Sequence, residues 1–509
     1  MNRFRTRVKS LFLCFLSAGM LIVSFPSFNI WPLAWLAFVP LFFVLQNKSK
    51  LKAFLWAYLA GVIFWSGTIY WLVHVTLLGT IILILYLALH FAIFGLFFST
   101  LNFELPTLNC FLIPSAWVLL EYIRSHLFTG FPWGLLGYSQ YLNLAVIQIA
   151  DITGAWGVSF LVMMVNGWFY SLIRAPDRQS ICSIRRSLPV IGCLLAVFGY
   201  GYYHLTLTPF PHHLSTLKIS VVQGNIPQEI KWDPQASLSI LSKYIRLTEE
   251  AAKDNPELII WPEAANPLVG SEEEGVFDRI QSLAGSLKIP LLFGSVIVEG
   301  DSFFNSALLV DATGKNISRY DKLHLVPFGE YIPFRRAFPY LATIAPIGDI
   351  TAGRDYTVFY LKKHGKPANR PTKFSVLICF EDLFPELSRQ FVRRGAQFLV
   401  NITNDAWYKK TSAPFQHFQA SVFRAVENRV FLVRSANTGV SGFISPSGRI
   451  ISLVSGASRR NIFVDGISAF DISLVKPHLS FYTRYGDKFI FSLFILIAFY
   501  GIFLFLRKK

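Results

Sequence analysis

Long apolar runs fill most of the first two hundred residues, and after them short β-branched runs alternate with amphipathic stretches. Crossing a bilayer core takes about 20 consecutive apolar residues. Eight runs approach that length, at 9–25, 30–46, 53–75, 78–101, 108–123, 156–173, 188–205 and 489–506. The first follows Arg3, Arg5, Arg7 and Lys9 as a signal peptide would, but a second span comes at once and no small-residue cleavage site stands out, so it is read as a retained helix. The pattern predicts seven spans within 1–205, a water-soluble domain over 206–488, and an eighth span with a short tail over 489–509.

In the soluble part, Leu217–Gln223, Leu258–Trp261, Leu291–Val298, Ser306–Val310, Phe374–Cys379, Phe398–Ile402, Val430–Ser435 and Gly442–Ile444 read as strands. The stretches near 237–254, 272–287, 385–395 and 415–428 have helical periodicity. Such alternation predicts α/β layers, with the polar residues that follow the strands gathered along one edge.

Charge refines this division. Only Glu104, Glu121, Asp151 and Asp177 precede position 206, although the chain has 30 acidic residues. Of its 47 Lys and Arg, 12 lie in the same region, mostly in short loops between the apolar runs. With a cytoplasmic N-terminus, the loops holding Lys48, Lys50 and Lys52, and Arg174, Arg178, Arg185 and Arg186, fall inside, as the positive-inside rule requires; Arg124 is the exception. Seven crossings then place 206–488 outside the cytoplasm, and the eighth returns Arg507, Lys508 and Lys509 to it. The net charge of +17 is therefore topological information, and anionic lipid headgroups, not nucleic acid, are the expected neighbours.

Between the fifth and sixth runs, Phe131-Pro132-Trp133 and Gly137-Tyr138-Ser139-Gln140 are too rich in aromatics and glycine for a plain linker. The stretch reads equally as an aromatic belt at the membrane interface or as a substrate-guiding loop. Cys14, Cys110, Cys182 and Cys193 lie in or beside apolar runs, and Cys379 alone falls in the soluble part. Neither a disulfide framework nor a metal-ligand spacing is present, so no metal and no cofactor are expected.

Three residues at predicted strand ends form a chemically coherent set: Glu263 in Trp261-Pro262-Glu263, Lys322 in Asp321-Lys322-Leu323-His324, and Cys379 in Ile378-Cys379-Phe380-Glu381-Asp382. A thiol needs a base or a nearby cation to become a useful nucleophile at neutral pH. Glu263 can take its proton, and Lys322 can stabilise both a thiolate and a tetrahedral oxyanion. Taken singly, each also has a bland reading: a core cysteine, a helix-capping glutamate, a solvated lysine.

The Trp-Pro-Glu, the Lys322 segment with His324-Leu325-Val326-Pro327-Phe328-Gly329-Glu330, and Ile378-Cys379-Phe380-Glu381-Asp382 are similar to the Glu-Lys-Cys segments of the nitrilase superfamily. Together with Val222-Gln223-Gly224-Asn225-Ile226-Pro227-Gln228, Asn404-Asp405-Ala406-Trp407, Gln416-His417, Arg424-Ala425-Val426-Glu427, Asn437-Thr438-Gly439 and Trp31-Pro32-Leu33-Ala34-Trp35, they resemble its membrane-bound branch, the apolipoprotein N-acyltransferase family. That resemblance implies a nitrilase-like αββα sandwich outside the membrane, with Cys379 as nucleophile, Glu263 as general base and Lys322 as oxyanion stabiliser. It implies that Glu330 holds Lys322, that Glu381 supports the same pocket, and that Trp232 contacts the acyl chain. The implied partners are a phospholipid acyl donor and a diacylglyceryl apolipoprotein acceptor. The implied setting is the bacterial inner membrane, with the catalytic domain facing the periplasm and the chain acting as a monomer.

Three places depart from the family pattern: Phe380 where Tyr is common, Phe304 where Tyr is usual, and Tyr408-Lys409-Lys410 in place of a small, glycine-containing stretch. Beyond Lys322, the segment Pro333–Ile350 is rich in large apolar residues and reads either as a lipid-facing lid or as core. A membrane-tethered hydrolase, in which water resolves the acyl-enzyme, shares the same triad. A transporter is disfavoured by the few ionisable groups within the spans.

Overall fold

A computed structural model describes residues 2–101, 106–174, 180–207, 216–266, 274–333, 349–362, 371–456, 459–474 and 479–506. Most of the segment expected as a lid or core, 334–348, lies outside the described residues, as do the basic residues 507–509. The chain divides into two units, one comprising Met1–Pro209, Thr411–Gln419 and Tyr485–Lys509, the other Phe210–Lys410 and Ala420–Arg484.

The first unit is helical. Among the described residues six helices are long and apolar enough to cross a membrane: Phe4–Ser24, Lys50–Thr68, Leu77–Phe98, Ala155–Arg174, Ser187–Thr206 and Lys488–Leu506. The second expected span is instead a broken pair of short helices, Trp31–Trp35 and Val39–Leu45. Pro32 and Pro40 each sit in a first turn, where a missing N–H is tolerated. Asn166 serves the break, its amide nitrogen donating to the Ala34 carbonyl at 2.9 Å and its oxygen accepting from the Phe38 N–H at 2.8 Å.

The fifth expected span is the helix Pro106–His126, which carries the buried Glu121 and Arg124. Arg124 was the exception in the charge count, and its place explains why. Its guanidinium donates to the carbonyls of Phe131 and Trp133 at 2.6 and 2.7 Å, and Glu121 accepts the Leu136 N–H at 2.7 Å. The Phe-Pro-Trp turn is thus tied to this helix, and Trp133, Tyr138 and Gln140 are interior. Gln416 accounts for the membership of Thr411–Gln419 in this unit. Its amide oxygen accepts from the indoles of Trp71 and Trp133 at 3.1 and 2.9 Å, and its nitrogen donates to the Thr68 carbonyl at 2.9 Å.

The second unit is a sandwich of two six-stranded sheets. Its strands are β1 (Thr216–Gln223), β2 (Leu258–Ile260), β3 (Leu291–Glu299), β4 (Ser302–Val310), β5 (Ile317–Asp321), β6 (Phe359–Leu361), β7 (Thr372–Ile378), β8 (Phe398–Thr403), β9 (Phe431–Ala436), β10 (Gly442–Ile444), β11 (Ile450–Leu453) and β12 (Gly466–Ser473). One sheet has the order β12-β1-β2-β3-β4-β5 and the other β11-β10-β9-β8-β7-β6. In each, three central strands are parallel (β1, β2 and β3; β7, β8 and β9) and antiparallel strands flank them.

Parallel strands buried on both faces need apolar side chains at nearly every position. The buried runs Leu258–Ile260 and Phe398–Ile402 meet that need. Helices Ser237–Ala252 and Glu274–Leu287 place Ile240, Leu241, Tyr244, Ile280 and Leu283 against Val222, Ile259, Leu291 and Phe293 on the outer face of the first sheet. Helix Pro385–Arg393 packs on β7 and β8 of the second, and Arg434 of β9 donates to Ser421 in the helix Ala413–Asn428. Because the central strands run the same way, their carboxyl ends collect at one edge, where the candidate site lies.

Candidate active site

Each of the three proposed residues stands just past a strand. Glu263 follows β2, where Trp261 is buried, stacked on Tyr244 at 4.9 Å and hydrogen-bonded to Thr248 at 2.7 Å. Strand β3 passes so close that a Cβ on Gly294 would lie 2.7 Å from the Glu263 Cα, so a glycine is required there. Lys322 follows β5, with its N–H on the Asn305 carbonyl at 2.9 Å. Cys379 follows β7 and opens the short helical turn Cys379–Leu383 with φ +52°. A non-glycine residue in that region is strained, and such strain collects at functional elbows. Asn401, on β8, steadies the elbow by donating to the carbonyls of Cys379 and Leu377 at 3.1 and 3.2 Å.

Lys322 joins two carboxylates. Its ammonium is 2.9 Å from Glu330 Oε1 and 3.6 Å from Glu263 Oε1. Asn305 bridges the same pair, its Nδ2 donating to Glu263 Oε1 at 2.8 Å and to Glu330 Oε1 at 2.7 Å. The remaining oxygens are held by main chain: Asn404 N–H on Glu263 Oε2 and Val326 N–H on Glu330 Oε2, both at 2.8 Å. Burial works against the Lys322 ammonium, but Glu330 and then Glu263 outweigh it and hold its pKa above the ordinary lysine value. Burial, and next the Glu263 carboxylate, push the Cys379 thiol well above its ordinary pKa, while Lys322 pulls the other way. The resting sulfur is therefore a thiol, and it reacts only if a base takes its proton as it attacks.

Glu381 is wholly buried and accepts from Ile378 N, Leu323 N, His324 N and the Tyr320 hydroxyl at 2.7 to 3.1 Å. Burial pushes its carboxyl up to about 7 against the pull of those donors. It thus ties the Cys379 turn to the segment that carries Lys322. Trp232 is 42% exposed, and its ring lies 6.0 Å from Lys231 Nζ; among the described residues no hydrogen bond joins it to Glu263, Lys322 or Cys379.

Sequence reasoning missed several residues here. Asn305, next to Phe304, carries no mark of its own in the sequence. Asn404 and Asn437, known only as parts of motifs, form a relay in which Asn437 donates to Asn404 Oδ1 at 3.0 Å and to the Ile226 carbonyl at 2.8 Å. Arg434, fully buried on β9, spans Asp382 (2.8 Å), Asn401 (2.7 Å), Ser421 (2.9 Å) and Asp405 (3.3 Å) beneath the cysteine turn. A Cβ on Gly439 would meet Asp405 Oδ2 at 2.1 Å, which explains that glycine. Lone Asn and Arg residues within strands carry no sequence signal that separates this use from any other.

Comparison with known proteins agrees with this layout. Residues 218–470 match the carbon-nitrogen hydrolase family, and residues 17–168 match the N-terminal domain of apolipoprotein N-acyltransferase. The chain joins an α/β unit of nitrilase-superfamily fold with a unit of long apolar helices. An apolipoprotein N-acyltransferase of Geobacter metallireducens is 38% identical over 493 residues, covering 93% of this chain and 91% of that protein. One from Haemophilus ducreyi is 28% identical over 497 residues, covering 94% of each. The chain belongs to the apolipoprotein N-acyltransferase family. Among solved structures, an amidase from Nesterenkonia is similar at 20% identity and a TM-score of 0.39, covering 55% of this chain and 96% of that one.

Proposed function

We propose that Cys379 takes a fatty acyl chain from a membrane phospholipid as a thioester and passes it to the α-amino group of the diacylglyceryl cysteine that begins an apolipoprotein. In the first stage Glu263 accepts the thiol proton as sulfur attacks the ester carbonyl. Lys322 faces the oxyanion that forms, and the lysophospholipid alkoxide leaves with the proton from Glu263. In the second stage the neutral amine attacks the thioester, Glu263 accepts its proton, and sulfur leaves, to be reprotonated as the thiol. Neither stage needs both lipids in the site together, and the kinetics are ping-pong.

The observation that carries this reading is the approach of Lys322 to Glu263 and Glu330 beside the strained cysteine turn, in a chain 38% identical along its length to an apolipoprotein N-acyltransferase. Glu330 holds Lys322, Glu381 holds the turn, and the half-exposed Trp232 offers an apolar surface to the acyl chain. The loop charges support a bacterial inner-membrane location with the catalytic unit facing the periplasm, and the chain acts as a monomer.

Purified enzyme in phospholipid vesicles should release lysophospholipid in step with added diacylglyceryl lipopeptide, and Cys379→Ala should release none. Continuous release without the lipopeptide would instead establish the hydrolase. Full transfer by Cys379→Ala would remove the cysteine from the mechanism.

A further inference from the structure

The α/β unit buries four cations among its described residues: Lys231, Lys322, Arg424 and Arg434. Three of them have carboxylates within 2.9 Å, namely Glu330, Glu427 and Asp382 respectively. Lys231 is 2% exposed and has none among the described residues. Among the described residues its ammonium makes one hydrogen bond, at 3.1 Å to the main-chain carbonyl of Glu263, and it lies 6.0 Å from the Trp232 ring. An ammonium has three donors, so two remain for other groups. A buried ammonium with no carboxylate at ion-pair distance is costly.

The surroundings indicate which partner. The charged and titratable groups facing Cys379 are Glu263, Lys322, Asp405, Tyr408 and Lys231, with Thr403 hydrogen-bonded to the thiol and Glu330 behind Lys322. Asp405 and Asp382 share Arg434. Set against Glu263, Glu330, Asp382 and Asp405, the cations Lys322 and Arg434 leave two negative charges uncovered before any thiolate forms. Lys322 and Arg434 are each already committed to two carboxylates, whereas among the described residues Lys231 has none at ion-pair distance.

We propose that Lys231 is a further functional residue of the acyl-transfer site, whose ammonium balances the negative charge that develops at Cys379 and the acyl oxygen as the thioester forms and breaks. This rests on Cys379 being the nucleophile. No proton need leave Lys231 for this role. Burial pulls its pKa down to about 8, with the Glu263 carboxylate and the Cys379 thiol opposing, as a cation awaiting an anion should behave.

The test separates the charge from the hydrogen bond. Lys231→Gln keeps a donor for the Glu263 carbonyl and loses the charge, Lys231→Met loses both, and Lys231→Arg keeps the charge. The rate of Cys379 alkylation by iodoacetamide, followed by peptide mass spectrometry in the full-length enzyme, is measured against pH. Both neutral variants should move the alkaline rise upward by about one pH unit, while Arg holds it near wild type. Thioester formation should fall about 10²-fold in the neutral variants, as on loss of one oxyanion donor. A wild-type alkylation profile in Lys231→Gln, or an equal upward shift in Lys231→Arg, overturns the proposal. Failure of the nucleophile assignment looks different: alkylated wild-type enzyme, or Cys379→Ala, would then still transfer acyl chains.

Discussion

Replacing Asn305 by Asp tests the electrostatic arrangement most sharply, because the change is nearly isosteric and strikes the bridge between two carboxylates. The amide nitrogen lies 2.8 Å from Glu263 Oε1 and 2.7 Å from Glu330 Oε1, in a residue 7% exposed. An ionised Asp would put a like charge about 4 Å from each. At an effective dielectric of about 20, each such pair costs about 4 kcal/mol. If the Lys322 ammonium, which pairs with both carboxylates, offsets roughly one of the two, one such cost is left. The remaining cost of about 4 kcal/mol corresponds to about three pKa units, which would lift the new carboxyl from about 3.9 to about 7. Below that pH the Asp is protonated and donates one of the two hydrogen bonds that Asn donates; above it, it donates neither. The ratio of variant to wild-type transfer, measured at each pH from 6 to 8.5 with phospholipid vesicles and a lipopeptide acceptor, should therefore start about tenfold down and fall further through pH 7. Asn305→Leu should be low throughout, with a flat ratio. An Asp variant that follows wild type across the range, or one as flat as Leu, would refute the reasoning.

Other consequences follow from the same contacts. Glu381→Gln presents an amide NH₂ to donors that now share a carboxylate, so at least one buried N–H or hydroxyl is left unmatched; the cost should be about 1–3 kcal/mol, read as a lower unfolding midpoint. Arg434→Met strands Asp382 and Asp405 under the cysteine turn and should cost about 3–5 kcal/mol. Asp382→Asn combined with that change should recover part of the loss in the same unfolding measurement, and no recovery would show that the pair is not coupled. Reporter fusions at Asn47 and Pro234 should report opposite sides of the membrane, and a shared compartment would contradict the eight-span topology.

The helical and α/β parts and the residues of the candidate site were legible because each left a strong local mark: long apolar runs, and motifs that resemble a known family. Strands β5, β6, β11 and β12 were not read. Ile317–Asp321 and Gly466–Ser473 mix charged and polar residues with apolar ones, Phe359–Leu361 is three residues long, and their pairing is supplied by neighbours distant in sequence. Likewise the run 30–46 has the composition of a span, yet Pro32, Pro40 and the hydrogen bonds from Asn166 break it into two short helices. Composition cannot register a partner 128 residues away. At the site, Glu263, Lys322, Cys379, Glu330 and Glu381 were named from the sequence. The polar frame that fixes their geometry, Asn305, Asn401, Asn404 and Arg434, is visible only once the two sheets have brought it together.

The central claim is a covalent one, and the mass of the Cys379 peptide tests it directly. Enzyme incubated with phospholipid and no acceptor, then digested and analysed by mass spectrometry, should carry one fatty acyl group on Cys379. The adduct should be labile to hydroxylamine and should vanish as N-acylated lipopeptide appears when acceptor is added. Cys379 is the one cysteine of the soluble part, so the adduct cannot be confused with acylation of Cys14, Cys110, Cys182 or Cys193. Transfer that proceeds at full rate while Cys379 stays unmodified at every time point would contradict the account.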